Sequence, residues 1–134
     1  MPTEVSWYQE NRVILVRVWG EATSQDMQAA NDQIIPLIQQ GTKITPLVHM
    51  IADVRAMTKF PTRLADVRGA QTYLKEPGLG WVVVVGMSPM VRFVASMITQ
   101  IMEARFRMFP TFAEGISFLV SRDSAIMDLS EPYK

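Results

Sequence analysis

Trp81-Val82-Val83-Val84-Val85-Gly86 is the stretch that decides the fold. Four consecutive β-branched residues after a tryptophan suit a strand rather than a helix, and the glycine ends it. Neither side of such a strand is polar, so it belongs at the centre of a sheet covered on both faces. Working upstream, 47–52 reads as a second buried strand closing at Asp53, followed by a loop over 54–60. Earlier still, 5–9 is a short strand and Glu10-Asn11 a turn. The turn leads into a strand at 12–19, where Ile14, Val16 and Val18 make one face wholly apolar. Its other face holds Val13, Leu15, Arg17 and Trp19, so it too is expected to be covered, with Arg17 reaching an edge. Downstream, Phe106 to Phe109 is a last short strand.

Helix signals fill the gaps between these strands. Thr23-Ser24-Gln25-Asp26 supplies an N-cap and an acidic first turn, and Met27, Ala30, Ile34, Leu37 and Ile38 then share one side. Pro36 predicts a kink or a break in that helix, and Gly41 a C-terminal stop. Pro61 opens a second helix with Leu64, Val67, Ala70 and Leu74 inward, and Pro77-Gly78 stops it. Ser88-Pro89, an N-cap followed by a proline in the first turn, starts a third helix over 89–105. Thr111-Phe112-Ala113-Glu114 has the form of a capping box and opens a fourth, carrying Ile116, Leu119 and Val120. The order β-β-α-β-α-β-α-β-α predicts an α/β fold: a single, mainly parallel five-stranded sheet with four helices, right-handed crossovers and one antiparallel N-terminal hairpin strand. One domain over 1–122 is expected, followed by a polar, peripheral tail over 123–134.

Composition narrows the chemistry. The 134 residues carry 13 Lys and Arg against 13 Asp and Glu, a net charge of zero that argues against a broad nucleic-acid-binding surface. Cysteine is absent, and with it disulfides, thiolate metal sites and a cysteine nucleophile. A single histidine, His49, excludes multi-histidine metal sites. The start lacks the basic region and apolar run of a signal peptide, and no apolar stretch approaches the roughly 20 residues of a membrane span. A cytoplasmic domain is expected, with neither metal nor cofactor. Methionine is the odd residue, with 10 copies against 3 Trp and 3 Tyr.

Candidate catalytic groups are few. Gly86-Met87-Ser88-Pro89-Met90 lies between strand and helix like a nucleophile elbow, but Met90 stands where the second glycine of G-x-S-x-G belongs. Ser88 is better read as an N-cap. His49 sits between Val48 and Met50 in a core strand, where a satisfied structural imidazole fits better than a base without a nucleophile. Asp53 closes a parallel strand at its carboxyl end, the place where open α/β sheets bind ligands, although a carboxylate there also accepts backbone N–H bonds in the following turn. Gly78-Leu79-Gly80 precedes its strand rather than following it, so it is no phosphate loop. No enzyme chemistry emerges.

The third helix stands out instead. Met90, Phe93, Val94, Met97, Ile98 and Ile101 form the stripe expected to face the sheet, while Val91, Ala95 and Met102 extend the apolar surface around it. A helix apolar over most of its circumference is buried on more than one side. Met90, Val91, Val94, Met97, Ile98 and Met102 are therefore candidates for a subunit interface, a partner groove or an apolar ligand pocket. Met90, Met97, Met102 and Met108 fall on or just after this helix, where thioethers suit adaptable packing.

Three places carry a family resemblance: Ile51-Ala52-Asp53-Val54-Arg55, Trp81 through Gly86, and Phe106-Arg107-Met108-Phe109-Pro110-Thr111-Phe112-Ala113-Glu114-Gly115-Ile116. With the element order, they make about residues 5–122 similar to the STAS superfamily, in particular its SpoIIAA-like branch of anti-sigma-factor-antagonist-like domains. The resemblance implies a non-enzymatic regulatory domain that works by protein interaction, as a homodimer or docked on a regulatory partner. Recognition would fall to Asp53, Arg55, Thr58, Lys59 and Arg63, around the loop after the third strand and the start of the second helix. The family's phosphoacceptor position falls on Thr62 in Pro61-Thr62-Arg63-Leu64, where three of the four motif positions differ, so that a plain first-turn residue is the preferred reading. Some SpoIIAA-like domains resemble lipid-binding modules, which makes a carrier or sensor of a lipid or other apolar small molecule the alternative.

Overall fold

A computed structural model describes residues 3–60, 72–100 and 105–127 of the chain. Its elements are β1 (Thr3–Gln9), β2 (Val13–Glu21), α1 (Ser24–Gly41), β3 (Val48–Lys59), a 3₁₀ turn (Thr72–Lys75), β4 (Leu79–Val85), α2 (Pro89–Thr99), β5 (Phe106–Phe109) and α3 (Phe112–Arg122). The strands lie in the spatial order β1-β2-β3-β4-β5. β1 runs antiparallel to β2, and the other three pairings are parallel. The sheet is thus mixed, and the described residues hold three α-helices instead of four. The second helix expected from Pro61 lies outside them, except that its inward Leu74 sits buried in the 3₁₀ turn.

Each parallel crossover advances one strand in the same direction. Right-handed connections therefore place α1 and α2 on one face of the sheet. Ile14, Val16, Val48, Met50, Val82 and Val84 meet Met27, Ala30, Ile34 and Ile38 of α1 and Val91, Val94, Ala95 and Ile98 of α2 in that layer. The alternate residues Val13, Leu15, Ile51, Val83 and Val85 point to the other face, where Phe112, Ile116 and Leu119 of α3 cover them. Central β4 is apolar on both sides because both sides are core. Gly115 lets α3 lie close: a Cβ there would come 2.9 Å from Val83 Cγ1 and 3.2 Å from Ile51 Cδ1.

Local signals act as their chemistry requires. Thr23 and Asp26 form a full capping box at α1, and Ser88 and Thr111 each accept the N–H three residues on. Asn11 takes the left-handed conformation (φ 64°) that closes the β1–β2 hairpin. Buried Asn31 ties α1 to the 3₁₀ turn: its Oδ1 accepts the Tyr73 N–H at 2.8 Å and its Nδ2 donates to Thr72 at 2.9 Å.

Three local expectations change. The helix continues through Pro36 to Gly41, and Gly41 is its last residue rather than a stop beyond it, with Thr42 as C-cap. That glycine is needed for space, since a Cβ would lie 2.5 Å from Val48 Cγ2. The segment 54–60, expected as a loop, is mostly strand, because β2 runs on to Glu21 and pairs with β3 as far as Lys59. The beginning of the tail is packed as well. Ile126 is buried beside α3, and Gln9 of β1 holds the Ala125 carbonyl and the Met127 N–H with the two ends of its amide.

Candidate functional site

Two departures from regular pairing concentrate the polar groups on the α3 face of β3. The first lies near the strand's start. Val48 is opposite Leu79 and Met50 opposite Val82, so β4 carries one extra residue at Gly80-Trp81. Such a bulge strands a backbone donor. Here the Trp81 N–H donates to Nδ1 of His49 at 2.8 Å. Because Nδ1 accepts, the neutral ring carries its proton on Nε2, which faces Asp123 Oδ2 at 3.3 Å. His49 is 3% exposed, and burial pushes its pKa below the ordinary histidine value, with the Asp123 carboxylate acting the other way. Gly80 provides the room for the imidazole, since a Cβ there would lie 2.3 Å from Nδ1. Both ring nitrogens are engaged, so His49 works here as a structural plug.

The second departure is four residues on. Arg17 is opposite Asp53 and Trp19 opposite Ala56, so β3 now carries the extra residue. The buried Asp53 carboxylate accepts the Arg55 backbone N–H at 3.1 Å and its Nε at 2.9 Å through Oδ1, and Nη2 at 2.8 Å through Oδ2. This two-pronged grip is the strong form of a guanidinium–carboxylate contact. It fixes the Arg55 head at the surface, with the side chain 36% exposed. Next to it in register, the Arg17 guanidinium lies 5.3 Å from the centre of the Trp19 ring. Thr58 and Lys59 follow as exposed residues at the strand's end. The structure thus brings Asp53 and Arg55 into direct contact and sets Thr58 and Lys59 on the same strand; Thr62 and Arg63 lie outside the described residues.

The apolar helix face resolves differently. Val91, Val94, Met97 and Ile98 are buried inside this chain's own core, so they form no free interface. The helix is turned so that the row Val91, Val94, Ala95 and Ile98 faces inward. Phe93, expected inward, is 49% exposed, Met90 is half-buried and Met87 is exposed just before the helix. Met102 lies outside the described residues. An apolar cavity between the sheet, α1, α2 and Tyr73 has a volume of about 40 Å³. That is room for a water or two and far too little for an acyl chain. No group of three or more histidine, aspartate or glutamate residues suited to a metal ion occurs among the described residues.

No family model matches the chain, and no curated protein matches it in sequence. Solved structures do match. A protein of the DUF3478 family from Shewanella loihica PV-4, described as having a SpoIIAA-like fold, superposes with a TM-score of 0.58 at 15% identity, over 87% of this chain and 91% of that one. The anti-sigma factor antagonist SpoIIAA in its unphosphorylated form gives 0.56 at 15% identity, over 92% and 99%. The fold is SpoIIAA-like. An anti-sigma factor antagonist from Mycobacterium paratuberculosis gives 0.55 at 17% identity, over 90% and 93%. The SpoIIAA-like likeness extends over nearly all of both chains in each comparison. At these identities it is a likeness of fold. His49 is the satisfied structural imidazole its place in a core strand suggests, but its partner Asp123, 74 residues away, had no signal in the sequence.

Proposed function

We propose that this chain is a non-enzymatic regulatory domain of the SpoIIAA-like kind that acts in the cytoplasm by docking on protein, either a second copy of itself or a regulatory partner. The observation that carries the reading is the pinned guanidinium of Arg55. Asp53 holds it rigidly at the carboxyl end of β3, beside the Arg17–Trp19 stack. Arginine and tryptophan held in place before binding lose little freedom on contact, which is how strong interface residues work. The neighbours described as anti-sigma factor antagonists support a protein rather than a metabolite as the target. Thr58 and Lys59, exposed further along the same strand, extend this surface. The alternative of a lipid carrier has no specific support, since the apolar cavity is about 40 Å³.

Sedimentation of the full chain tests the homodimer. Concentration-dependent dimerisation is expected in the wild type and is weakened in Trp19→Ala and Arg55→Ala, both still folded. A chain that stays monomeric at all concentrations removes the homodimer and leaves the heterologous partner. Co-purification from the native host, compared between wild type and Arg55→Ala, then decides that version; equal recovery of every partner by both would count against this surface.

A further inference from the structure

We propose that a cleft at the opposite end of the sheet, beneath the carboxyl end of α3, binds a small organic phosphate. The cleft measures about 330 Å³ and is lined by Arg12, His49, Trp81, Arg122 and Asp123, with Pro46 and Leu47 among its apolar residues. That volume is at the small end of natural ligand sites, which run from about 300 to 1,000 Å³. It accommodates a ring or a short carbon chain bearing one charged group, but not a folded partner.

Charge selects the ligand. The chain is neutral overall, yet two arginines line the cleft and two more stand behind it, Arg105 and Arg107, each donating one N–H to a backbone carbonyl; none of the four forms an ion pair among the described residues. Arg12 and Arg122 line the cleft directly. Arg107 and Arg122 lie 5.0 and 5.5 Å from the centre of the Trp81 ring, and Arg105 is near enough for its charge to act on His49. A guanidinium stacked on an aromatic ring keeps its N–H edge available for an anion. Against these stand the carboxylate of Asp123 and the half-negative carboxyl end of α3. Asp123 is already engaged: Oδ2 faces Nε2 of His49 and Oδ1 accepts the Ala125 N–H at 3.0 Å. The surplus of positive charge suits a dianion better than a monoanion. A phosphate monoester carries about −1.5 to −2 at neutral pH and presents three acceptor oxygens to arginine forks. The wall is rigid before any ligand arrives, since His49 is held through both ring nitrogens. Trp81, Pro46 and Leu47 offer apolar contact to the organic part.

The test is an amide NMR titration of the full chain with phenyl phosphate, inorganic phosphate and benzoate. Saturable shifts at the Trp81 and Asp123 amides are expected with phenyl phosphate. Binding of inorganic phosphate and of benzoate is expected to be about tenfold weaker, the first for want of apolar contact and the second for want of charge. Arg12→Gln and Arg122→Gln should each weaken phenyl phosphate tenfold or more, while Arg92→Gln on α2 leaves it unchanged. Should Arg122→Gln fail to fold through loss of its stacking, Arg12→Gln alone decides. No saturable shift with phenyl phosphate, or unaltered affinity in Arg12→Gln, overturns the site. Equal binding of benzoate overturns the dianion, and equal binding of inorganic phosphate overturns the organic body.

Discussion

The two bulges beside β3, one in its neighbour β4 and one in β3 itself, solve one problem in two ways. At each, an extra residue strands a backbone N–H, and a side chain on the same sheet face accepts it: His49 for Trp81, Asp53 for Arg55. The imidazole belongs to the strand opposite its bulge and reaches on to Asp123, far along the sequence. The carboxylate belongs to the bulged strand and closes on a residue two positions away. The first arrangement joins distant parts of the chain and is buried. The second is local and presents a fixed cation to the surroundings. Burial and long range make the His49 end a fastener, whereas short range and exposure make the Asp53 end a display.

The comparison breaks first at Gly80. In Gly80→Ala the new methyl would meet the imidazole at 2.3 Å, so the ring must leave the bulge and surrender its bonds to Trp81 and Asp123. A loss of roughly 3 kcal/mol is expected in urea denaturation, from overpacking plus an orphaned buried amide. Gly20→Ala is the matched control. Its φ of 65° disfavours a side chain, but no atom lies within 4 Å of the added carbon. About 1 kcal/mol is expected there. Equal losses at the two glycines would mean that His49 yields easily and is no fastener.

Cutting each pair at its second partner sharpens the contrast. Asp123→Ala leaves the buried Nε2–H of His49 without its acceptor and should cost about 2 kcal/mol. Hydrogen exchange should rise at the Ile126 amide, because the turn after α3 loses its anchor to β3. Arg55→Ala removes a partly exposed guanidinium but leaves the buried Asp53 carboxylate its bond from the Arg55 backbone N–H, and should cost about 1 kcal/mol. Exchange at Ile126 should not respond to it. A larger loss in Arg55→Ala than in Asp123→Ala would reverse the assignment of fastener and display.

What could be read from the sequence follows the same division between local and distant. The central strand, the three N-caps at Thr23, Ser88 and Thr111, and the Asn11 turn are short-range chemistry, and each is where the residues placed it. The end of β3 was hidden, because Arg55, Thr58 and Lys59 look like loop residues and only β2, supplying partners as far as Glu21, makes them strand. The rotation of α2 was hidden for another reason. The rows 90, 93, 94, 97 and 91, 94, 95, 98 are both apolar, so periodicity alone does not choose between them; packing buries the second. The resemblance to SpoIIAA-like proteins was legible in element order, which is what a shared fold preserves at 15–17% identity. For the candidate site, Asp53 and Arg55 were visible as a pair of residues, but the bulge that makes them grip each other was not.

Acidification separates the two ends by the smallest of these effects and the most specific. The His49 pKa is lowered in the fold from an ordinary value of 6.5, chiefly by burial. Protonating Nδ1 would set an N–H against the Trp81 N–H, so the folded chain resists taking up the proton while the unfolded chain accepts it. Stability from this source is complete above the unfolded value of 6.5 and drains away as pH falls through the lower folded value, since there the unfolded state binds more protons. His49 is the chain's one histidine, so the slope just below 6.5 has one histidine to come from. The wild type should lose denaturation free energy on stepping down through that range, and His49→Gln, less stable at neutral pH, should lose less over the same interval. Arg55→Ala should keep the wild-type slope just below 6.5, because it leaves the contacts of His49 with Trp81 and Asp123 in place. A slope that survives in His49→Gln, or disappears in Arg55→Ala, would place the titrating contact at the wrong end of β3.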